Sequence, residues 1–99
     1  MLHIVNKSPF ERNALDSCLR FGRSGSALLL IEDGVYAATR GNTAEQKITA
    51  AMHQMKIYAL RPDLEARGMQ DAVIAGVELV DYGGFVDLVA QHSAVQSWL

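Results

Sequence analysis

Cys18 is the only cysteine in the chain and lies in the stretch NALDSCLRFG, residues 13 to 22. A cysteine thiolate can attack sulfur or carbon electrophiles, so this position is the first candidate for covalent chemistry. Arg20 and Arg23 follow closely and could stabilise a thiolate. On a helical wheel, however, Cys18 falls near the middle of the apolar half. The pattern favours a buried, inert thiol over a persulfide carrier, and both interpretations stay open at this point.

The three histidines, His3, His53 and His92, are scattered along the chain. Their spacing is not that of a metal-ligand set, and no carboxylate follows at a fixed offset. We therefore expect no metal site and no cofactor.

Asp33 and Asp81 follow predicted strands, as the acceptor of a receiver domain does. Such a domain needs an acidic cluster beside its first strand, and here that strand ends in Asn6-Lys7. Gly83-Gly84 lacks the longer glycine fingerprint of a phosphate loop, so the pair predicts a tight turn between a strand and a helix. Neither feature indicates a phosphate or phosphorylation site.

The composition describes one domain over residues 1–99, with 49% apolar residues, 20% charged residues and a net charge of −2. A slightly acidic balance argues against nucleic-acid binding. No apolar run is long enough to span a membrane, and the N-terminal stretch does not match a signal peptide, so we expect a cytoplasmic protein. A chain this short buries a modest core, which makes oligomerisation a reasonable expectation.

Apolar runs alternate with amphipathic segments along the chain. The runs predict strands at residues 2–5, 27–31, 56–60 and 77–81, whereas residues 35–39 fit either a helical turn or a strand. The segments predict helices at residues 10–21 and 44–54, from Pro62 to Gly68, and after Gly84. This order predicts an α/β fold, a mostly parallel sheet of four to five strands with helices on both faces. Ligands of such sheets bind beyond the carboxyl ends of the strands.

Local signals place the helix ends. Ser8, Pro9 and Glu11 have the spacing of an N-cap, a first helical residue and a capping-box partner. Gly22 is predicted to end that helix in a left-handed conformation, and Thr43 is predicted to cap the next helix.

Five segments in order resemble one family: LHIVNKSPF, EDGVYAA, YALRPDLEARG, VDYGGFVDLVAQH and the terminal WL. Together they are similar to the TusB/DsrH family, small subunits of bacterial sulfur-relay complexes, over nearly the whole chain. Of the two branches of this family, TusB and DsrH, the opening VNKSPFERN and Cys18 look more like DsrH. The resemblance implies a flavodoxin-like, DsrE-like α/β subunit.

The resemblance also implies partners. The family assembles with TusC and TusD, or with DsrF and DsrE, into a heterohexamer that contains two copies of each subunit. The Tus complex takes persulfide sulfur from TusA and passes it to TusE, toward 2-thiolation of the wobble uridine of tRNA. The Dsr complex exchanges sulfur with DsrC during oxidation of stored sulfur. The sequence leaves both pathways open.

In the sister subunit, TusD or DsrE, the active cysteine ends the corresponding third strand, and alignment to the family places Leu60 or a neighbour there. The resemblance therefore implies an accessory, non-catalytic subunit, because leucine has no nucleophilic atom. Trp98, Tyr82 and Phe85 are candidates for contacts with the sister subunits, since aromatic residues are enriched at interface centres. An ordinary role in the core of this chain is an equal alternative for each. The alternative to an accessory subunit is a direct persulfide carrier that uses Cys18.

Overall fold

A computed structural model describes residues 1–11, 13–22 and 24–98. Within these ranges the strands are β1 (Leu2–Val5), β2 (Ala27–Leu30), β3 (Lys56–Leu60), β4 (Glu78–Val80) and β5 (Val95–Trp98). The α-helices are α1 (Ala14–Phe21), α2 (Glu45–Ala51), α3 (Arg61–Ala66) and α4 (Tyr82–Gln91). Two 3₁₀ segments, Glu32–Ala38 and Gln70–Ala72, complete the description.

The strands form one sheet in the order β4-β3-β2-β1-β5, and every neighbouring pair is parallel. This confirms the predicted α/β class and the mostly parallel sheet. The order is not the 2-1-3-4-5 order of flavodoxin. The likeness to flavodoxin therefore lies in the layering of parallel strands and helices.

Helices cover both faces of the sheet, as predicted. On one face, the large core joins α1, α2, α3 and the segment Glu32–Ala38 to the sheet through residues such as Leu15, Ile48 and Leu64. On the other face, the small core is built from Leu2, Ile4, Ala27, Leu29 and Leu88 of α4. The strands that these layers sandwich, β1 and β2, are buried at every position.

The start of the first helix differs from the prediction. Ser8 accepts a hydrogen bond from the backbone N–H of Phe10 at 3.2 Å, which forms a turn before the helix. α1 begins at Ala14, so the helix predicted from residue 10 was wrong for its first turn. Phe10 is 54% exposed, so no burial drives that turn into a helix. Arg12 lies outside the described residues.

Gly22 does not adopt a left-handed backbone. Its φ is −65°, so the predicted left-handed cap was wrong. A Cβ here would lie 3.0 Å from the sulfur and from the terminal methyl group of Met55. The end of α1 therefore lies close to the side chain of Met55.

One strand was not predicted, one open choice is resolved, and one predicted cap was wrong. β5 is an edge strand that the sequence pattern did not indicate. The segment Glu32–Ala38 is a 3₁₀ helix, which resolves the open choice at residues 35–39. Thr43 does not cap α2; instead Asn42 Oδ1 accepts a hydrogen bond from the N–H of Ala44 at 2.8 Å.

Candidate functional site at the carboxyl edge of the sheet

The carboxyl edge of the sheet is where an α/β fold offers a site, and β3 ends there at Leu60. Leu60 is 2% exposed and immediately precedes α3. Its side chain contributes to packing and has no atom that could accept sulfur. The position implied by the family resemblance is thus part of the core.

The turn after β2 is fixed to α3 by hydrogen bonds. Glu32 has a positive φ of 51°, and its N–H donates to Asp63 Oδ2 at 2.6 Å. Arg67 donates from Nε and Nη2 to Asp33 Oδ1, at 3.1 and 2.9 Å. Asp63 and Arg67 of the helical segment thereby hold a strained backbone turn in place. No sequence pattern indicates this network, because its members are about thirty residues apart.

Gly34 brings the same turn against the end of β1. A Cβ at this position would lie 2.3 Å from the carbonyl oxygen of Val5, closer than any real contact. Its N–H also donates to the carbonyl of Ile31 at 2.8 Å. The edge is therefore closely packed between β1 and β2.

Asp33 and Asp81, the two predicted strand-end carboxylates, have structural partners. Asp33 pairs with Arg67, and Asp81 Oδ1 accepts a hydrogen bond from the N–H of Gly84 at 2.8 Å. Asp81 is thus the N-cap of α4, and Gly84 lies in its first turn, where a Cβ would be 2.9 Å from Val80 Cβ. Asp81 and Gly84 thus shape the start of α4, in agreement with the predicted tight turn between strand and helix.

Cys18 lies in the large core with no exposed surface, on the buried side of α1 as the wheel predicts. Burial raises the pKa of its thiol to about 12. A reactive cysteine needs the opposite shift, which a nearby cation or a helix N-terminus supplies. Of the two arginines considered beside it, Arg20 is exposed and Arg23 lies outside the described residues.

The histidines are separated in the fold. His3 is on β1, His53 follows α2, and His92 is at the end of α4. Across the described part of the chain, no three His, Cys, Asp or Glu side chains come together as a potential metal site. His92 Nδ1 lies 2.8 Å from the carbonyl oxygen of Leu88, and His3 contacts Trp98.

None of the helices in the described ranges is long and apolar enough to cross a membrane. The fold and the carboxyl edge define a class: a parallel α/β domain whose third strand ends in a buried leucine and whose single thiol is in the core. Comparisons with known proteins then identify the family. A family model described as DsrH like protein matches residues 7–95.

The chain belongs to the TusB/DsrH family. It is 40% identical to "Protein TusB" of Pectobacterium parmentieri over 98 residues, which is 99% of this chain and 100% of that protein. It is 37% identical to "Protein TusB" of Escherichia coli strain K12 over the same shares. Membership supports the role of a sulfur-relay subunit.

Solved structures show the same fold at low sequence identity. The ychN protein of E. coli superposes with a TM-score of 0.81 at 19% identity, over 97% of each chain. Protein MTH1491 of Methanobacterium thermoautotrophicum superposes with a TM-score of 0.75 at 19% identity, over 97% of this chain and 95% of the other. These likenesses concern the fold alone.

Proposed function

We propose that this chain is a non-catalytic subunit of a heterohexameric, cytoplasmic sulfurtransferase complex that relays persulfide sulfur. Its partners are two sister subunits, of the TusC and TusD or the DsrF and DsrE type, and the active cysteine belongs to the TusD- or DsrE-type subunit. Carriers of the TusA, TusE or DsrC type bind transiently, with no direct contact to nucleic acid or membrane.

One observation carries this proposal: the chain has one thiol, and that thiol is fully buried with a pKa raised to about 12. A sulfur carrier must present a thiolate to its donor and acceptor. β3 ends in the buried Leu60, which has no nucleophilic atom. The end of β3 therefore offers no second group that could carry sulfur. The chemistry is therefore assigned to a partner.

α4 supplies the surface that supports assembly. Tyr82, Val86 and Val89 lie four and three residues apart and are 61%, 65% and 37% exposed. We call these three residues the α4 stripe. Such apolar stripes on a small domain indicate a protein contact. Of the interface candidates, Tyr82 belongs to this stripe, whereas Phe85 packs against the small core and Trp98 against the large core.

The first test is assembly. Co-expression with the two sister subunits should give a complex with two copies of each chain, measured by native mass spectrometry. Val86→Arg places a charge in the α4 stripe and should weaken assembly at least about tenfold, which corresponds to about 1.4 kcal/mol. The matched control is Gln46→Arg, at an exposed position on α2.

The outcomes test the subunit role and the α4 surface separately. If the wild-type chain stays monomeric beside both sister subunits, the subunit role is wrong. If Val86→Arg assembles as well as Gln46→Arg does, the complex forms through another surface.

The relatives named TusB favour the tRNA branch of the family. We infer that the complex acts toward 2-thiolation of the wobble uridine. Expression of this chain in E. coli that lacks its own TusB should restore 2-thiouridine in tRNA, measured by mass spectrometry of nucleosides. If thiolation is not restored although the chain assembles with the host subunits, the branch assignment fails, and the sulfur-oxidation pathway takes its place.

A further inference from the structure

β5 is attached to the molecule by few side chains. It lies at the edge of the sheet and pairs with β1 alone among the described strands. Val95, Gln96 and Ser97 are exposed, and Trp98 is the β5 residue that packs against the large core. The position of β5 thus depends on its backbone pairing and on Trp98.

Trp98 is held by His3. The indole Nε1–H donates a hydrogen bond to His3 Nδ1 at 3.1 Å, and the two ring centroids are 6.1 Å apart. An indole nitrogen can only donate, so His3 Nδ1 must be the acceptor. Neutral His3 therefore carries its proton on Nε2. Trp98 also stacks on Phe21, with a centroid distance of 6.0 Å and an interplanar angle of 10°.

His3 is 3% exposed. Burial, together with the charge of the Met1 amino group, lowers its pKa below the ordinary value. The other residues lining the cavity beside it are uncharged: Phe21 from α1, Ser26 before β2, and Gln96 and Trp98 from β5. None of these cavity residues offers a carboxylate that could neutralise an imidazolium.

Protonation would place N–H groups on both ring nitrogens. Nδ1–H would then face the indole N–H, and two donors cannot share a hydrogen bond. The charged ring would also remain in a poorly solvated site beside another positive charge. Each effect acts against the contact between Trp98 and His3.

We propose that His3 and Trp98 form an acid-sensitive latch that holds the edge strand β5 on the sheet. When His3 is neutral, Trp98 is fixed and β5 covers the free edge of β1. When His3 takes up a proton, Trp98 is released and β5 detaches. The latch does not rest on the sulfur-relay role, because neither the thiol of Cys18 nor Leu60 takes part in it.

The test follows β5 and His3 in the full chain by NMR from pH 7.5 to 5. The His3 ring should titrate with a midpoint below about 6.5. Over the same range, protection of the β5 amides that pair with β1 should fall at least about tenfold, while β2 and β3 keep theirs. The fluorescence of Trp98, the only tryptophan, should change with the same midpoint.

His3→Gln is the diagnostic variant, because its side-chain oxygen can accept the indole N–H and does not titrate. It should abolish the pH-dependent loss of protection, whereas the control His53→Gln, at an exposed position, should keep it. A wild-type β5 that stays protected while the His3 ring titrates overturns the latch. The same loss in His3→Gln overturns it too. If His3→Gln does not fold, the wild-type chain still tests the latch. The midpoints of His3 titration, of β5 amide protection and of Trp98 fluorescence must then coincide, and separate midpoints overturn the latch.

Discussion

The thiol of Cys18 should be almost unreactive in the folded chain. At pH 8, a thiol with a pKa of about 12 is ionised in about one molecule in 10,000, whereas an ordinary cysteine with a pKa of about 8.5 is ionised in about one in four. Since only the thiolate reacts, folding should slow labelling by at least about a thousandfold.

The assay is labelling of the native chain with a disulfide reagent at pH 8, compared with the same chain in denaturing urea. Native Cys18 should react only through opening of the fold. The assembled complex, treated with a sulfur donor, should carry no added sulfur on the Cys18 peptide. Labelling of the native chain at a rate near that of the unfolded chain would show that the thiol is accessible and would revive the carrier role.

Substitutions separate packing from chemistry at Cys18. Cys18→Ala removes a buried sulfur and should cost about 1 kcal/mol of stability. Cys18→Ser adds a buried hydroxyl and should cost more, about 1 to 3 kcal/mol if it finds no partner. Both variants should support full sulfur relay once folded, and loss of relay in a folded, assembled Cys18→Ala complex would contradict the accessory role.

Three further predictions concern the turns that frame the site, each measured by urea unfolding. Gly34→Ala should cost at least about 3 kcal/mol, because its Cβ would be 2.3 Å from the oxygen of Val5, and an unchanged midpoint would contradict this close approach. Asp81→Ala should cost about 1 kcal/mol by removing the cap on Gly84, while Asp81→Asn should recover most of it. Glu32→Gly should stabilise the chain by up to about 1 kcal/mol by relieving the positive φ of 51°, and destabilisation would show that the Glu32 side chain matters more.

The sheet could be predicted because its inner strands are buried on both faces. The run at residues 27–31 is apolar without alternation, as such a strand requires, and the runs at residues 2–5 and 56–60 are mostly apolar, with His3 and Lys56 as their polar members. They match β1, β2 and β3 to within one residue. β5 was missed because its sequence VQSW lies at an exposed edge, where burial does not select apolar residues.

The buried side of α1 could be predicted from the wheel, and with it the burial of Cys18. The contact between His3 and Trp98 could not, because it joins residues 95 positions apart. The prediction of a helical turn from residue 10 was wrong for a different reason. The Ser8 hydroxyl accepts a hydrogen bond in a local turn, and this competes with helix capping.

The buried leucine at the end of β3 also limits what this chain could become. A thiol introduced by Leu60→Cys would occupy a site that is 2% exposed, so donor and acceptor proteins could not reach it. The substitution would also remove packing volume from the core. Gaining sulfur chemistry at this edge would therefore require the backbone between β3 and α3 to move outward as well. A single substitution at this position would therefore not be enough to create a reactive thiol.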